Sequence, residues 1–360
     1  MRKYQRRFSR EVRVGDLTIG GDAPIVVQSM TKTDTRDVEA TLQQIESLKQ
    51  WGCELVRLAI PDQQAADALA EIKKKASLPL VADIHFDYRL ALSALEAGVD
   101  KLRINPGNIG SADKVRQVVK EAKERGVPIR VGVNAGSLEK RLLQRYGSPT
   151  PEAMVESALT NIKVVEDMGF EEMVVSLKAP DVITTCRAYQ LLAERVDYPF
   201  HLGITEAGIP LPGAVKSAVG LGILLSQGLG DTIRVSLTAP PEEEVKVAYQ
   251  ILRALNLRQR GPMVISCPTC GRCEVDLVKI CQEVEKRIAH ITYPLHIAIM
   301  GCVVNGPGEA KQADLGFAGG KDGGVLFRQG KVLRKVKEEA VVKELLKEIE
   351  KLVKEMAVLY

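Results

Sequence analysis

Two stretches of the chain carry residues able to hold a metal: Ser266-Cys-Pro-Thr-Cys-Gly-Arg-Cys273 and Gly301-Cys-Val-Val-Asn-Gly-Pro-Gly-Glu309. A Cys-x-x-Cys turn lets Cys267 and Cys270 converge on one centre, and the glycine that follows leaves the backbone free to bend around it. Cys302 is the obvious third ligand, because it ends an apolar strand and opens a tight Asn-Gly-Pro-Gly loop. The fourth is either Cys273, which extends the run to the Cys-x-x-Cys-x-x-Cys spacing of ferredoxins, or the carboxylate of Glu309. Zinc would suit four thiolates as well as an iron-sulfur cluster does. A radical centre of the S-adenosylmethionine type is disfavoured, since its cysteine run would stand on the strand-rich part of the chain. Cys53, Cys186 and Cys281 are flanked by apolar residues and read as core thiols.

A second polar set lies in strand-like segments nearer the start of the chain: Arg57, Asp83, His85, Arg103, Asn105, Arg130, Asn134, Ser176, Lys178, His201, Thr205, Arg234 and Ser236. Its five cations (Arg57, Arg103, Arg130, Lys178 and Arg234) have two acids nearby, Asp83 and Glu206, which leaves a local excess of three positive charges. Guanidinium groups stay charged and take phosphate oxygens in pairs, so the set fits a phosphate or diphosphate ester. The alternative, for any single arginine, is pairing with a carboxylate in a structural network.

The elements that must position these residues are eight short segments rich in β-branched residues: Ile25 to Met30, Cys53 to Ile60, Pro79 to Phe86, Lys101 to Asn105, Pro128 to Asn134, Met173 to Lys178, Pro199 to Thr205 and Asp231 to Leu237. A helix-like stretch separates each pair, so the fold class is α/β, a (β/α)8 TIM-type barrel, with an open doubly wound sheet as its rival. Alternation decides which side chains meet. The polar set shares one parity, while Val56, Leu58, Ile84, Leu102, Ile104, Val131, Val133, Leu177 and Val235 take the other and face the helices. The polar parity then points inward near the carboxyl ends of the strands, where barrel enzymes carry their sites. A longer piece, Leu138 to Pro151, with Lys140, Arg141 and Arg145, is either a lid over the mouth or a solvated helix.

At 360 residues the chain exceeds what one hydrophobic core usually serves. A polar break, Arg258-Gln-Arg-Gly-Pro262, divides it into a substrate-binding barrel over 1–257 and a smaller α+β metal domain over 262–360. Charge is mixed along the chain and sums to only +4, which argues against a nucleic-acid partner. No run of eighteen apolar residues and no signal core occurs, so no membrane association and a cytoplasmic location are expected. Four cysteines crowded between Cys267 and Cys281 favour metal over disulfides.

The segments Val27-Gln-Ser-Met-Thr31, Val81-Ala-Asp-Ile-His85, Leu102-Arg-Ile-Asn-Pro-Gly-Asn108, Gly132-Val-Asn-Ala-Gly-Ser137, Ser176-Leu-Lys-Ala179, His201-Leu-Gly-Ile-Thr-Glu-Ala-Gly208 and the two cysteine motifs closely resemble those of the bacterial 4-hydroxy-3-methylbut-2-enyl diphosphate synthases. These are iron-sulfur enzymes of the non-mevalonate isoprenoid pathway, and the resemblance spans essentially the whole chain. It implies a 4Fe-4S cluster held by Cys267, Cys270, Cys302 and Glu309, with Cys273 left outside. It implies as substrate 2-C-methyl-D-erythritol 2,4-cyclodiphosphate, which is reduced with ring opening and loss of water, and flavodoxin or ferredoxin as electron donor. Glu206 resembles the family's acid residue, with His85 the other proton-transfer candidate, and Asn305 is expected to touch substrate from the cluster side. Glu309 is expected to matter to catalysis as well, because an oxygen ligand leaves iron more readily than sulfur does.

The same resemblance implies a head-to-tail homodimer, and geometry agrees. The last barrel helix, about 20 Å long at 1.5 Å per residue, delivers the linker to the face away from the pocket. A linker of five to seven residues reaches only about 17–25 Å. A partner chain is better placed to bring its metal site to the mouth. Two other classes compete: a zinc-stabilised barrel lyase, colourless and without labile sulfide, and an RNA-binding module with steeply salt-dependent affinity.

Overall fold

The computed structural model describes residues 5–105, 107–302 and 313–359. Contacts between residues divide the chain into two units, Met1–Arg258 and Gln259–Tyr360. The first alternates strand and helix. Its strands are β3 (Val26–Met30), β4 (Leu55–Ala59), β5 (Leu80–Asp83), β6 (Lys101–Ile104), β7 (Ile129–Asn134), β8 (Met173–Lys178), β9 (His201–Leu202) and β10 (Thr232–Ile233). They pair in parallel in the order β8-β7-β6-β5-β4-β3-β10-β9, and a bridge between Val175 and Phe200 closes the ring. The expected barrel is therefore present.

Its helices are α1 (Val38–Gln50), α2 (Gln63–Lys75), α3 (Tyr88–Glu96), α4 (Ala112–Arg125), α5 (Lys140–Tyr146), α6 (Pro151–Glu166), α7 (Val182–Ala193), α8 (Pro210–Ser226) and α9 (Pro241–Ala254). Asp37, Asp62, Asp87 and Asp181 cap four of them by accepting first-turn amides, which fixes where each strand-to-helix loop ends. Below the barrel, the hairpin of β1 (Val12–Val14) and β2 (Leu17–Ile19) sets Val12, Val14 and Ile19 against Val26, Leu55, Val81 and Val174. This apolar plug shuts the end opposite the strand termini.

Two departures from the sequence reading stand out. β9 and β10 each keep only two residues, and after β9 the chain turns away at Glu206 (φ 52°) and Gly208 (φ 111°). The extra piece is helix α5, whose Arg145 pairs with Glu156 and whose Arg141 bonds Thr160, both on α6. Those two cations serve a helix surface rather than the mouth.

The second unit is a five-stranded sheet, β11 (Met263–Ser266), β12 (His296–Met300), β13 (Leu315–Gly320), β14 (Gly323–Arg328) and β15 (Lys331–Val336), in chain order. The first three strands run parallel and the last two return antiparallel. Gln329 and Gly330, at φ 49° and 75°, make the tight turn expected there. Helices α10 (Leu277–Ile288) and α11 (Val341–Leu359) set Ile280, Val284, Leu345 and Ile349 against Ile297, Ile299, Leu315 and Phe317. Among the described residues no helix is long and apolar enough to cross a membrane.

Candidate functional site

Register fixes what the barrel interior holds. Asp83 sits opposite Arg103, and Arg103 opposite Arg130, on adjacent strands, so three charged side chains share one inward-facing row. Arg103 Nη1 donates to Asp83 Oδ1 at 3.1 Å, and Arg57 Nε lies 3.6 Å from Asp83 Oδ2. The half-exposed His85 ring places Nε2 3.3 Å from Asp83 Oδ2 and 3.3 Å from Arg103 Nη1. Burial pushes the Asp83 carboxyl up, but Arg57, His85 and Arg103 together outweigh it and hold the group below the usual carboxylate range. Burial likewise lowers Arg57, to about 10, against the pull of Asp83. Asp83 thus organises two cations and a histidine at one rim of the barrel.

Arg234 lies just past β10 and pairs with Glu244 at 3.3 Å. Glu244 is buried, and it also accepts from Ser29 Oγ at 3.1 Å and the Leu237 amide at 3.1 Å. Lys32 Nζ lies 3.1 Å from the same carboxylate. The count made from sequence paired the cations with Asp83 and Glu206. Here the second acid among them is Glu244, while Glu206 is exposed on the β9–α8 loop. Sequence gave no warning, because Glu244 closes a Glu242-Glu243-Glu244 run that reads as an ordinary acidic first helical turn.

Lys178 and Arg130 are buried, and burial followed by neighbouring cations pushes both below their ordinary values. Two inward glycines make room for the Arg103 and Lys178 heads, and both were missed. A Cβ at Gly132 would stand 2.8 Å from Arg103 Nε, and one at Gly203 would stand 2.9 Å from Lys178 Nζ and 2.6 Å from the Arg234 carbonyl. Glycine at inward parity beside a cation was the available signal. Of the remaining expected residues, Asn105 is buried and bonds the Gly107 amide at 3.1 Å, while Asn134, Thr205 and Ser236 are half-buried near their strand ends. A cavity of about 360 Å³ opens beside Asp83 and His85, walled by Ile60, Phe86 and Leu90.

In the second unit Cys267 follows β11 and Cys302 follows β12, and these are parallel neighbours, so both cysteines leave the same sheet end. The Gly301 amide donates to Cys267 Sγ at 3.4 Å, and Cys273 closes a turn on the Cys270 carbonyl at 2.9 Å. Thr269, at φ 61°, bends the backbone between Cys267 and Cys270. Cys273 Sγ is spent on the Val275 carbonyl at 3.2 Å and crowds the face of Gly301. Cys270 is exposed; Cys267 and Cys302 are half-buried. Among the described residues no three potential ligands are drawn together to metal-binding distance. Glu309 and Asn305 lie outside the described residues. By donor type and strand end, the three described thiols fit a cluster. Cys53 and Cys186 do not, being buried thiols pushed up to about 12 and about 11.

Residues 9–249 match the family described as the GcpE TIM-barrel domain, and residues 263–351 match the GcpE protein C-terminal domain. A 4-hydroxy-3-methylbut-2-en-1-yl diphosphate synthase (flavodoxin) of Caldanaerobacter subterraneus subsp. tengcongensis is 58% identical across 97% of this chain and 99% of its own. A relative of the same name from Geobacter sulfurreducens is 58% identical across 96% and 98%. Among solved structures, N-acetylneuraminic acid synthetase of Leptospira borgpetersenii covers 79% of this chain and 98% of its own at 13% identity, with a TM-score of 0.50, a likeness of fold alone.

Proposed function

The chain belongs to the GcpE family, and from that membership we propose that it reduces 2-C-methyl-D-erythritol 2,4-cyclodiphosphate by two electrons, opening the ring and expelling water to give 4-hydroxy-3-methylbut-2-enyl diphosphate. It is an oxidoreductase of isoprenoid biosynthesis that takes its electrons from flavodoxin. The observation that carries the substrate reading is the buried row of strand-end cations, which outnumbers its two carboxylates, Asp83 and Glu244. Such a row is stabilised by a ligand that brings several negative charges.

In this reading Arg57, Arg103, Arg130, Lys178 and Arg234 grip the diphosphate, while Asp83 and Glu244 hold the arginines in place. Asn105, Asn134, Thr205 and Ser236 orient the substrate from their strand ends, and Asn305, outside the described residues, would be a further substrate contact. Glu206 gives the proton with which the leaving hydroxyl departs as water, with His85 as the second donor within the site. Cys267, Cys270, Cys302 and Glu309 would hold a 4Fe-4S cluster, which would supply electrons one at a time. Cys273, committed to the Val275 carbonyl, stays outside the set.

The C-terminal unit serves the barrel of a second copy in a head-to-tail dimer. What supports this is that α9 returns from the strand-end face to the opposite face of the barrel, and the linker starts there. The enzyme works in the cytoplasm. Anaerobic protein with reduced flavodoxin should convert the cyclic diphosphate to the linear product; protein carrying iron and labile sulfide that fails to do so would overturn the reading.

A further inference from the structure

Beneath the row of Arg57, Asp83 and Arg103 lies a second polar layer, of which only Arg130, register partner of Arg103 on one side and of Val174 on the other, also serves the diphosphate site. Lys101 pairs in register with Val81, Arg130 with Val174 and Gln28 with Leu55, and all three partners belong to the apolar plug. Thr232 pairs with Val26 of the plug on one side and His201 on the other. Register partners share a face, so Lys101, Arg130, Gln28 and His201 project inward directly above the plug. Their side chains are 0–1% exposed. Gln28 Nε2 and Oε1, Lys101 Nζ, Arg130 Nε and Nη1, and His201 Nε2 have no hydrogen-bond partner.

Five of these six atoms can donate. The surrounding carboxylates are committed elsewhere: Asp83 to Arg57 and Arg103, Glu244 to Arg234 and Ser29, Asp231 to Arg6, Ser9 and the Phe200 amide. Water would meet the hydrogen bonds but leave the charge of Arg130, whose guanidinium keeps its proton, without a counter-ion in a dry interior. An anion meets both needs. The plug below and side chains this deeply buried favour a small ion over a phosphate.

We propose that the barrel holds a resident monovalent anion of halide size between Lys101, Arg130 and Gln28, on the plug side of Arg130 and sharing only that residue with the site that takes the diphosphate. Lys101 is the signature residue, since it reaches this layer and is not among the groups at the mouth. The anion keeps Lys101 protonated and fixes the Arg130 guanidinium from below.

The test uses cluster-loaded full-length protein with bromide as the probe. Crystals grown in bromide should show one anomalous peak within hydrogen-bond reach of Lys101 Nζ, and it should persist when inorganic diphosphate fills the mouth. In solution, chloride or bromide in place of gluconate at equal ionic strength should raise the melting temperature saturably, by about 2–4 °C. Lys101→Met should abolish that rise. A bromide peak at the mouth alone, lost on adding diphosphate, would overturn the proposal, as would water at Lys101 or an equal halide response in Lys101→Met. The bromide map needs only the unaltered chain, so it decides the matter even if the variant does not fold.

Discussion

The barrel and the C-terminal unit keep their reactive groups in opposite ways. In the barrel, charge is buried and held by neighbours before any ligand arrives: Asp83 spans Arg57 and Arg103, and Glu244 fixes Arg234. In the C-terminal unit the thiols stand exposed or half-buried at the ends of β11 and β12, and no described group draws them to metal-binding distance. The lesson is about what completes each site. The barrel presents a finished mould with surplus positive charge, and the sheet presents donors that a metal would have to gather.

The sharpest way to break this contrast is to disable each region alone. Cys270→Ser should abolish turnover and cluster absorbance while leaving diphosphate binding to the barrel intact, as calorimetry would show. Arg130→Ala should keep the cluster spectrum and lower kcat/KM by about 10²–10³, the scale of a lost charge stabiliser. If either substitution damaged both properties, the division of labour would be wrong.

A smaller effect probes the mould. Gly203→Ala puts a methyl group where Lys178 and the Arg234 carbonyl already stand, at an overpacking cost of about 1–3 kcal/mol. Substrate KM should rise about tenfold, read from steady-state rates, with iron content unchanged. The smallest effect concerns pH. The folded state holds Asp83 below its ordinary value, so its contribution to stability is full above about pH 4 and fades as pH falls towards the folded value. Asp83→Asn should therefore lower the urea midpoint clearly at pH 7 and less at pH 3.

Legibility in the sequence followed the same division. Strand parity exposed Arg57, Arg103, Arg130 and Lys178, because an inward charge interrupts an apolar alternation. It did not expose Glu244, which sits on a helix among other acids, nor Lys101, whose place at the first residue of β6 reads as a solvated strand start. Gly132 and Gly203 went unread because their contribution is space. β9 and β10 were drawn too long, since the hydrophobic pattern continues through Ile204 and Val235, beyond the residues that pair. In the C-terminal unit, spacing alone singled out the cysteine turn, but the choice between Cys273 and Glu309 needed the resemblance.

The claim most at stake is that the two regions perform halves of one reaction and meet between copies. Arg130→Ala, nearly inactive alone, and Cys270→Ser, inactive alone, would be mixed under conditions where native mass spectrometry shows exchange of chains. Random pairing gives one intact barrel facing one intact cluster in half of the dimers, so about a quarter of full activity should return. Verified mixed dimers with no activity would contradict the account.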